Sequence, residues 1–158
     1  MAIFNLGSIN IDHFYQVPHL PSPGETLSAT GYSVGLGGKG ANQSVAAALA
    51  GAITIHIGAI GNEGQWTVAR MQDFGVETDH VAALDNPTAH AIINVDPQGE
   101  NAIVICSSAN VQQDEKRIEA AFEDATASDF CVLQNETNLV RFTAELAQRR
   151  GLRVVYSA

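Results

Sequence analysis

The chain has 158 residues, a formal net charge of −9, and 46% hydrophobic against 16% charged residues. That length suits one domain with one core, in which about 68–70% of the unfolded surface is buried, and no apolar run approaches the ~20 residues that span a bilayer. The acidic balance argues against a nucleic-acid partner, which needs clustered Lys and Arg, because lysine occurs only at positions 39 and 116.

Ala2–Leu6 reads as an opening strand and not as a signal peptide, since it lacks a basic leader and a long apolar stretch. The expected location is the cytoplasm. Residues 12–35 carry Phe14, Val17, Leu20, Leu27 and Tyr32 around Pro18, Pro21 and Pro23, a β pattern without a helix. A helix over Ala41–Ala50 stops at Gly51 before the β-branched run Ile53–Ile57, and another over Gln65–Phe74 stops at Gly75. Trp66, on the second helix, reads as a packing residue. Ala89–Cys106 reads as a hairpin turning at Asp96-Pro97-Gln98-Gly99. A helix over Asp114–Ala127 opens on a capping aspartate, the strand Phe130–Leu133 follows, and a helix over Leu139–Arg150 stops at Gly151 before the strand Leu152–Tyr156.

This alternation predicts a parallel α/β sheet with right-handed crossovers. The two helix-free segments, about 12–35 and 86–107, predict antiparallel strands in a separate small layer that could fold over a ligand. Cys106 and Cys131 stand alone in apolar segments, as buried free thiols do. The five histidines have no metal-ligand spacing, so no metal site is expected.

Two segments hold the chemistry. Asn10-Ile11-Asp12 offers an amide and a carboxylate; Gly37-Gly38-Lys39-Gly40-Ala41-Asn42 offers an ammonium, an amide and bare backbone at the mouth of a helix. Such groups suit a small polyhydroxylated ligand. Gly35-Leu36-Gly37-Gly38-Lys39-Gly40 also satisfies a dinucleotide fingerprint, but that motif needs an acidic residue about 20 positions on. Ile53–Gly61 contains none. A phosphate-binding P-loop needs Ser or Thr after its lysine, and Lys39 is followed by Gly40.

Gly7-Ser8-Ile9-Asn10-Ile11-Asp12, Pro23-Gly24-Glu25-Thr26, Gly37–Gln43, Pro87-Thr88-Ala89, Gly99-Glu100-Asn101 and Gln134-Asn135-Glu136 occur in an order and spacing that resemble the amino-terminal half of the ribokinase-like, or phosphofructokinase-B type, sugar kinases. The resemblance implies a Rossmann-like parallel sheet flanked by helices, with a small inserted β-sheet lid. Residues 1–158 would be the amino-terminal part of one such α/β domain. It implies ATP-dependent phosphorylation of a small sugar, with Mg²⁺ and a monovalent cation as further cofactors and a homodimer formed through the lid. The family's catalytic aspartate, in a Gly-Ala-Gly-Asp segment, has no counterpart in these residues. The chain is therefore expected to supply the sugar pocket and lid and to be inactive alone. The alternatives are a non-catalytic carbohydrate-binding or dimerisation module and, further off, a dinucleotide-dependent oxidoreductase.

Carried over by motif, the implied substrate contacts are Asn10, Asp12, Gly38, Lys39, Asn42 and Glu136, with no catalytic residue among them. All but Gly38 have a plainer reading. Asn10 and Asp12 could form an Asx turn, Lys39 could be solvated, Asn42 could cap its helix, and Glu136 could sit in the first turn of the helix ending at Arg150. Asn110 resembles a family turn, but a loop amide explains it equally. Gly61-Asn62-Glu63-Gly64 is shorter than the family pattern at that loop.

Overall fold

The computed structural model describes residues 1–157. Its main sheet holds five parallel strands in the order β5-β4-β1-β8-β9: β1 Ala2–Leu6, β4 Ile53–Gly61, β5 Glu77–Leu84, β8 Phe130–Gln134 and β9 Arg153–Ser157. A second sheet holds β2 Asn10–Gln16, β3 Gly31–Gly37, β6 Ala89–Val95 and β7 Asn101–Cys106, in the order β3-β2-β6-β7. Among the described residues there are four α-helices: α1 Lys39–Leu49, α2 Gln65–Asp73, α3 Glu115–Ala121 and α4 Val140–Arg149.

The helices cover both faces of the main sheet. On one face Phe4, Leu6, Ile57, Cys131 and Leu133 pack against Ile118 of α3, Phe122 at its end, and Leu146 and Ala147 of α4, with the Phe4 and Phe122 rings stacked 5.2 Å apart. On the other, Ile9 and Ile60 meet Ala41 of α1 and Met71 of α2. Alternating side chains along a strand explain the division, since neighbours on β1 face opposite ways. Asn5, between Phe4 and Leu6, turns toward α1.

That face is polar where it meets α1. The Asn5 amide nitrogen donates to the Gly40 carbonyl (2.9 Å) and the Ser44 hydroxyl (2.8 Å), and its oxygen accepts from Gln134 Nε2 (2.8 Å). Ser44 Oγ lies 2.8 Å from His56 Nδ1, and His56 Nε2 lies 3.2 Å from the Gly7 carbonyl. A carbonyl can only accept, so His56 carries its proton on Nε2 and accepts the Ser44 hydroxyl at Nδ1. Burial holds its pKa down to about 4 from an ordinary 6.5, against the opposing pull of the Gly7 carbonyl.

The small sheet departs from expectation in two respects, one pairing direction and the extent of its first segment. β2–β3 and β6–β7 are antiparallel, but β2 and β6 run parallel, because β6 enters from the end of β5 on the same side as β2 leaves β1. Residues 17–30 form no strand, as their three prolines dictate. The hairpin turn is as read: Gly99 has φ 84°, and Asp96 Oδ1 accepts from the amides of Gln98 (2.9 Å) and Glu100 (3.0 Å). Asp114 caps α3 through the amides of Lys116 and Arg117, but the helix ends at Ala121, where Arg150 Nη1 takes the Phe122 and Glu123 carbonyls. Cys131 is buried, its thiol pushed up to about 12 by burial. Cys106 is exposed instead, because β7 is an edge strand. Trp66 is 41% exposed and not a core residue. The strand Glu77–Leu84 had no distinct sequence signal, its alternation being diluted by Glu77, Asp79 and His80.

Unfolding exposes His56 and restores its ordinary pKa, so the unfolded chain binds one more proton between pH 6.5 and about 4. Stability from this group is complete above pH 6.5 and falls by about 3 kcal/mol as the pH drops to about 4. In urea titrations at several pH values, His56→Gln is expected to be less stable at pH 7 and to lack that part of the acid slope. A Cβ at Gly40 would run into the Gly7 Cα and the Ser8 amide, so Gly40→Ala is expected to cost about 1–3 kcal/mol by overpacking, measured by the urea midpoint.

Candidate active site

In open α/β sheets, ligands bind beyond the carboxyl ends of strands where the chain reverses its direction of strand addition. Here β1 has β4 on one side and β8 on the other. The segments leaving β1 and β8 and the start of α1 converge at that point. Ser8, after β1, donates its hydroxyl to Glu136 Oε2 (2.6 Å) and accepts the Gly40 amide (3.3 Å). Lys39 approaches the same carboxylate twice, through its amide to Oε2 (3.3 Å) and its ammonium to Oε1 (3.1 Å). Burial alone would push the Glu136 pKa up; the Ser8 hydroxyl, the Lys39 ammonium and the Lys39 amide outweigh it and hold the group below the ordinary carboxylate value.

The ammonium of Lys39 is largely solvent-facing, with 62% side-chain exposure. An ion pair of that kind contributes roughly 0.2–1 kcal/mol to stability, so a hydroxyl could intervene between Lys39 and Glu136 at little cost. The Lys39 backbone is fixed more firmly. Gly38 precedes it at φ 94°, and a Cβ there would lie 2.6 Å from the Ser8 carbonyl oxygen, so the turn into α1 admits only glycine without strain.

Asn10 and Asp12 extend from β2 on the same face. Asn10 is 5% exposed; its Oδ1 accepts from Asn110 Nδ2 (2.9 Å), and Asn110 Oδ1 accepts the Ile9 amide (3.0 Å). The Asn10 amide nitrogen remains as that side chain's donor. The Asp12 carboxyl lies against Gly37, with Oδ1 buried and unpartnered. Burial and the negative Glu136 raise its pKa, and His13 opposes them.

All six residues singled out by motif line one open concavity of about 180 Å³: Asn10, Asp12, Gly38, Lys39, Asn42 and Glu136. Lys39 is largely solvated, as its plainer reading has it, although its ammonium also pairs with Glu136; the other plainer readings are not what the geometry displays. Asn10 and Asp12 are strand residues; Asn42 lies inside α1, whose N-cap is Gly38 without a side-chain cap; Glu136 precedes α4 by a turn. The remaining wall is apolar, formed by Ala91, Ile93, Ile103 and Ile105 of the small sheet. A ligand here meets donors and carboxylates on one side and hydrocarbon on the other. Sequence reading passed over Ser8 and that wall; only the strand period of two marked the wall, and nothing in it specified which face. Asn110, set aside as a loop amide, buttresses Asn10.

The glycine cluster joins β3 of the small sheet to α1, and β1 runs instead into β2. A dinucleotide fingerprint needs the glycines to follow a strand of the parallel sheet. This geometry is not that motif.

The model of the pfkB family of carbohydrate kinases matches residues 2–155. A ribokinase from Haemophilus influenzae is 38% identical over 155 residues, 95% of this chain and 51% of the relative. A deoxyribokinase from Salmonella typhi is 31% identical over 98% of this chain and 52% of its own length. Among solved structures, ribokinase from Cryptococcus neoformans in complex with ADP superposes with a TM-score of 0.83 at 35% identity, over 98% of this chain and 50% of that one. Ribokinase from Arabidopsis thaliana complexed with ribose and ATP gives 0.84 at 28% identity, over 100% of this chain and 54% of that one. The chain thus spans about half the length of the relatives it matches. Matched along nearly all of its length in sequence and in fold, the chain belongs to the pfkB family of carbohydrate kinases.

Proposed function

We propose that this chain supplies the sugar pocket and lid of an ATP-dependent kinase acting on a small sugar of the ribose or deoxyribose kind. The observation that carries the reading is the convergence of six residues from separate segments on one amphipathic concavity. A furanose presents hydroxyls at its rim and C–H bonds on its faces. Glu136, held anionic by three donors, has acceptor capacity left at Oε1 for a sugar hydroxyl; Lys39 and Asn10 donate; Asp12 has a buried oxygen that a hydroxyl would satisfy. Two carboxylates against one ammonium favour a neutral polyol over an anion. The Arabidopsis neighbour is complexed with ribose and ATP, and these ligands come to this chain as part of the proposal.

The chain's own residues hold and orient the sugar, and the small sheet, acting as a lid, keeps water from it. Phosphoryl transfer depends mainly on such alignment and on charge stabilisation. The nucleotide site and the aspartate that takes the hydroxyl proton are assigned to no residue in this chain. Nor is Mg²⁺ or a monovalent cation: among the described residues no three His, Cys, Asp or Glu side chains gather to hold a metal.

The edge strand β7 exposes Ile103, Val104 and Ile105 at 50%, 68% and 55%. An apolar edge of this kind self-pairs unless covered, which supports a homodimer through the small sheets. The same surface favours the second reading, a carbohydrate-binding or dimerisation module without catalysis. No helix among the described residues is long and apolar enough to cross a membrane. The location proposed for the chain is the cytoplasm, with no nucleic-acid partner.

Calorimetry with D-ribose and 2-deoxy-D-ribose tests the pocket, and sugar-dependent ADP release tests the division of labour. Residues 1–158 are expected to bind one of these sugars and to release no ADP above background; turnover would overturn the division, and absence of binding would overturn the pocket. Asp12→Asn is expected to weaken sugar binding by about 1–3 kcal/mol. Wild-type affinity should fall as the pH drops through the raised Asp12 pKa, because the protonated carboxyl loses acceptor capacity. In Asp12→Asn that acid limb should flatten.

A further inference from the structure

The chain passes between its two sheets at four places, and one of them is held by a carboxylate outside the sugar site. Thr88 sits immediately ahead of β6 and is 1% exposed. Its amide donates to Glu63 Oε1 at 2.6 Å, and its hydroxyl accepts the Gly61 amide at 2.9 Å. Glu63 stands on the short turn Asn62–Gly64 that joins β4 to α2, the loop that is shorter than the family pattern. The turn is packed onto Thr88 so closely that a Cβ at Gly64 would strike the threonine hydroxyl. The adjoining crossing is tied to the same point: Ser108 Oγ (2.6 Å) and the Ala109 amide (3.2 Å) both donate to the Pro87 carbonyl. The strands entering and leaving there, β6 and β7, carry the whole apolar wall of Ala91, Ile93, Ile103 and Ile105.

We infer that Glu63 is a positioning residue: its carboxylate latches the β6–β7 hairpin to the rigid main sheet and so sets the height of the apolar wall over the sugar. Glu63 is not among the residues that line the concavity. The Thr88 amide is the chief reason its carboxyl sits below the ordinary value, as expected for a carboxylate accepting a backbone N–H. The latch stands on geometry alone; its consequence for binding rests on the sugar-site proposal.

Amide hydrogen exchange on the wild type, Glu63→Ala and Glu63→Gln, together with D-ribose calorimetry, tests both parts. Glu63 is exposed, so neither variant disturbs the core. Loss of one charge-assisted hydrogen bond is expected to speed exchange in residues 89–106 by about 10-fold or more in Glu63→Ala, with β1 and β4 unchanged. D-ribose affinity should fall several-fold, and Glu63→Gln, which keeps an acceptor, should lie between. Hairpin exchange within about two-fold of wild type, or acceleration spread evenly over β1 and β4, would overturn the latch. Faster hairpin exchange with unchanged D-ribose affinity would overturn the positioning role. If the wild type fails to bind D-ribose while the exchange effect is present, the sugar proposal falls and the latch is supported.

Discussion

The close abutment of Gly7 on Gly40 is the constraint on which the site depends. Neither residue has room for a Cβ, and their contact brings the first turn of α1 onto the end of β1. Only at that separation can the Ser8 hydroxyl reach both the Gly40 amide and Glu136, and the Lys39 backbone reach Glu136 as well. Beneath the contact, Asn5, Ser44, His56 and Gln134 replace the hydrocarbon that would normally seat a helix on a sheet. A directional network tolerates less sliding than apolar packing does, because each bond fails within a few tenths of an ångström. The cost is that every group must be satisfied, and Gln134 Oε1 has no partner.

Electrostatics gives the two site carboxylates different roles. Glu136 has three donors, from Ser8 and Lys39, and stays ionised; Asp12 has burial and a negative neighbour, and its pKa rises. One is therefore a fixed acceptor and the other an acceptor still lacking a donor. That contrast of environments, not the residue types, separates them.

The small sheet has apolar side chains on both faces of its edge strand β7, Val104 on one and Ile103 and Ile105 on the other. A sheet that is apolar on both sides is stable only when both are covered. One face lies toward the polar floor of the concavity. Its chain crossings are tied to segments at the ends of the main-sheet strands by Ser8 and Thr88 and to one another by Asn110 and Ser108, so this layer is held at its roots.

The parallel sheet, its helices and the hairpin were legible from local pattern: glycine stops after Ala50, Phe74 and Arg150, capping by Asp114, and the turn at Asp96–Gly99 each act within a few residues. Asn10, Asp12, Gly38, Lys39, Asn42 and Glu136 were legible as a set because ordered motifs mark them, although nothing local says that residues 10 and 136 meet. What only the tertiary structure decided is long-range. The parallel pairing of β2 with β6, the exposure of Trp66 and Cys106, the apolar wall from β6 and β7, the partnership of Ser8 with Glu136 across 128 positions, and the Glu63–Thr88 bond all arise from which strands become neighbours. Local propensity and periodicity are settled by backbone geometry over one or two turns. Neighbourhood is settled by the burial of whole faces, which no short window of sequence contains.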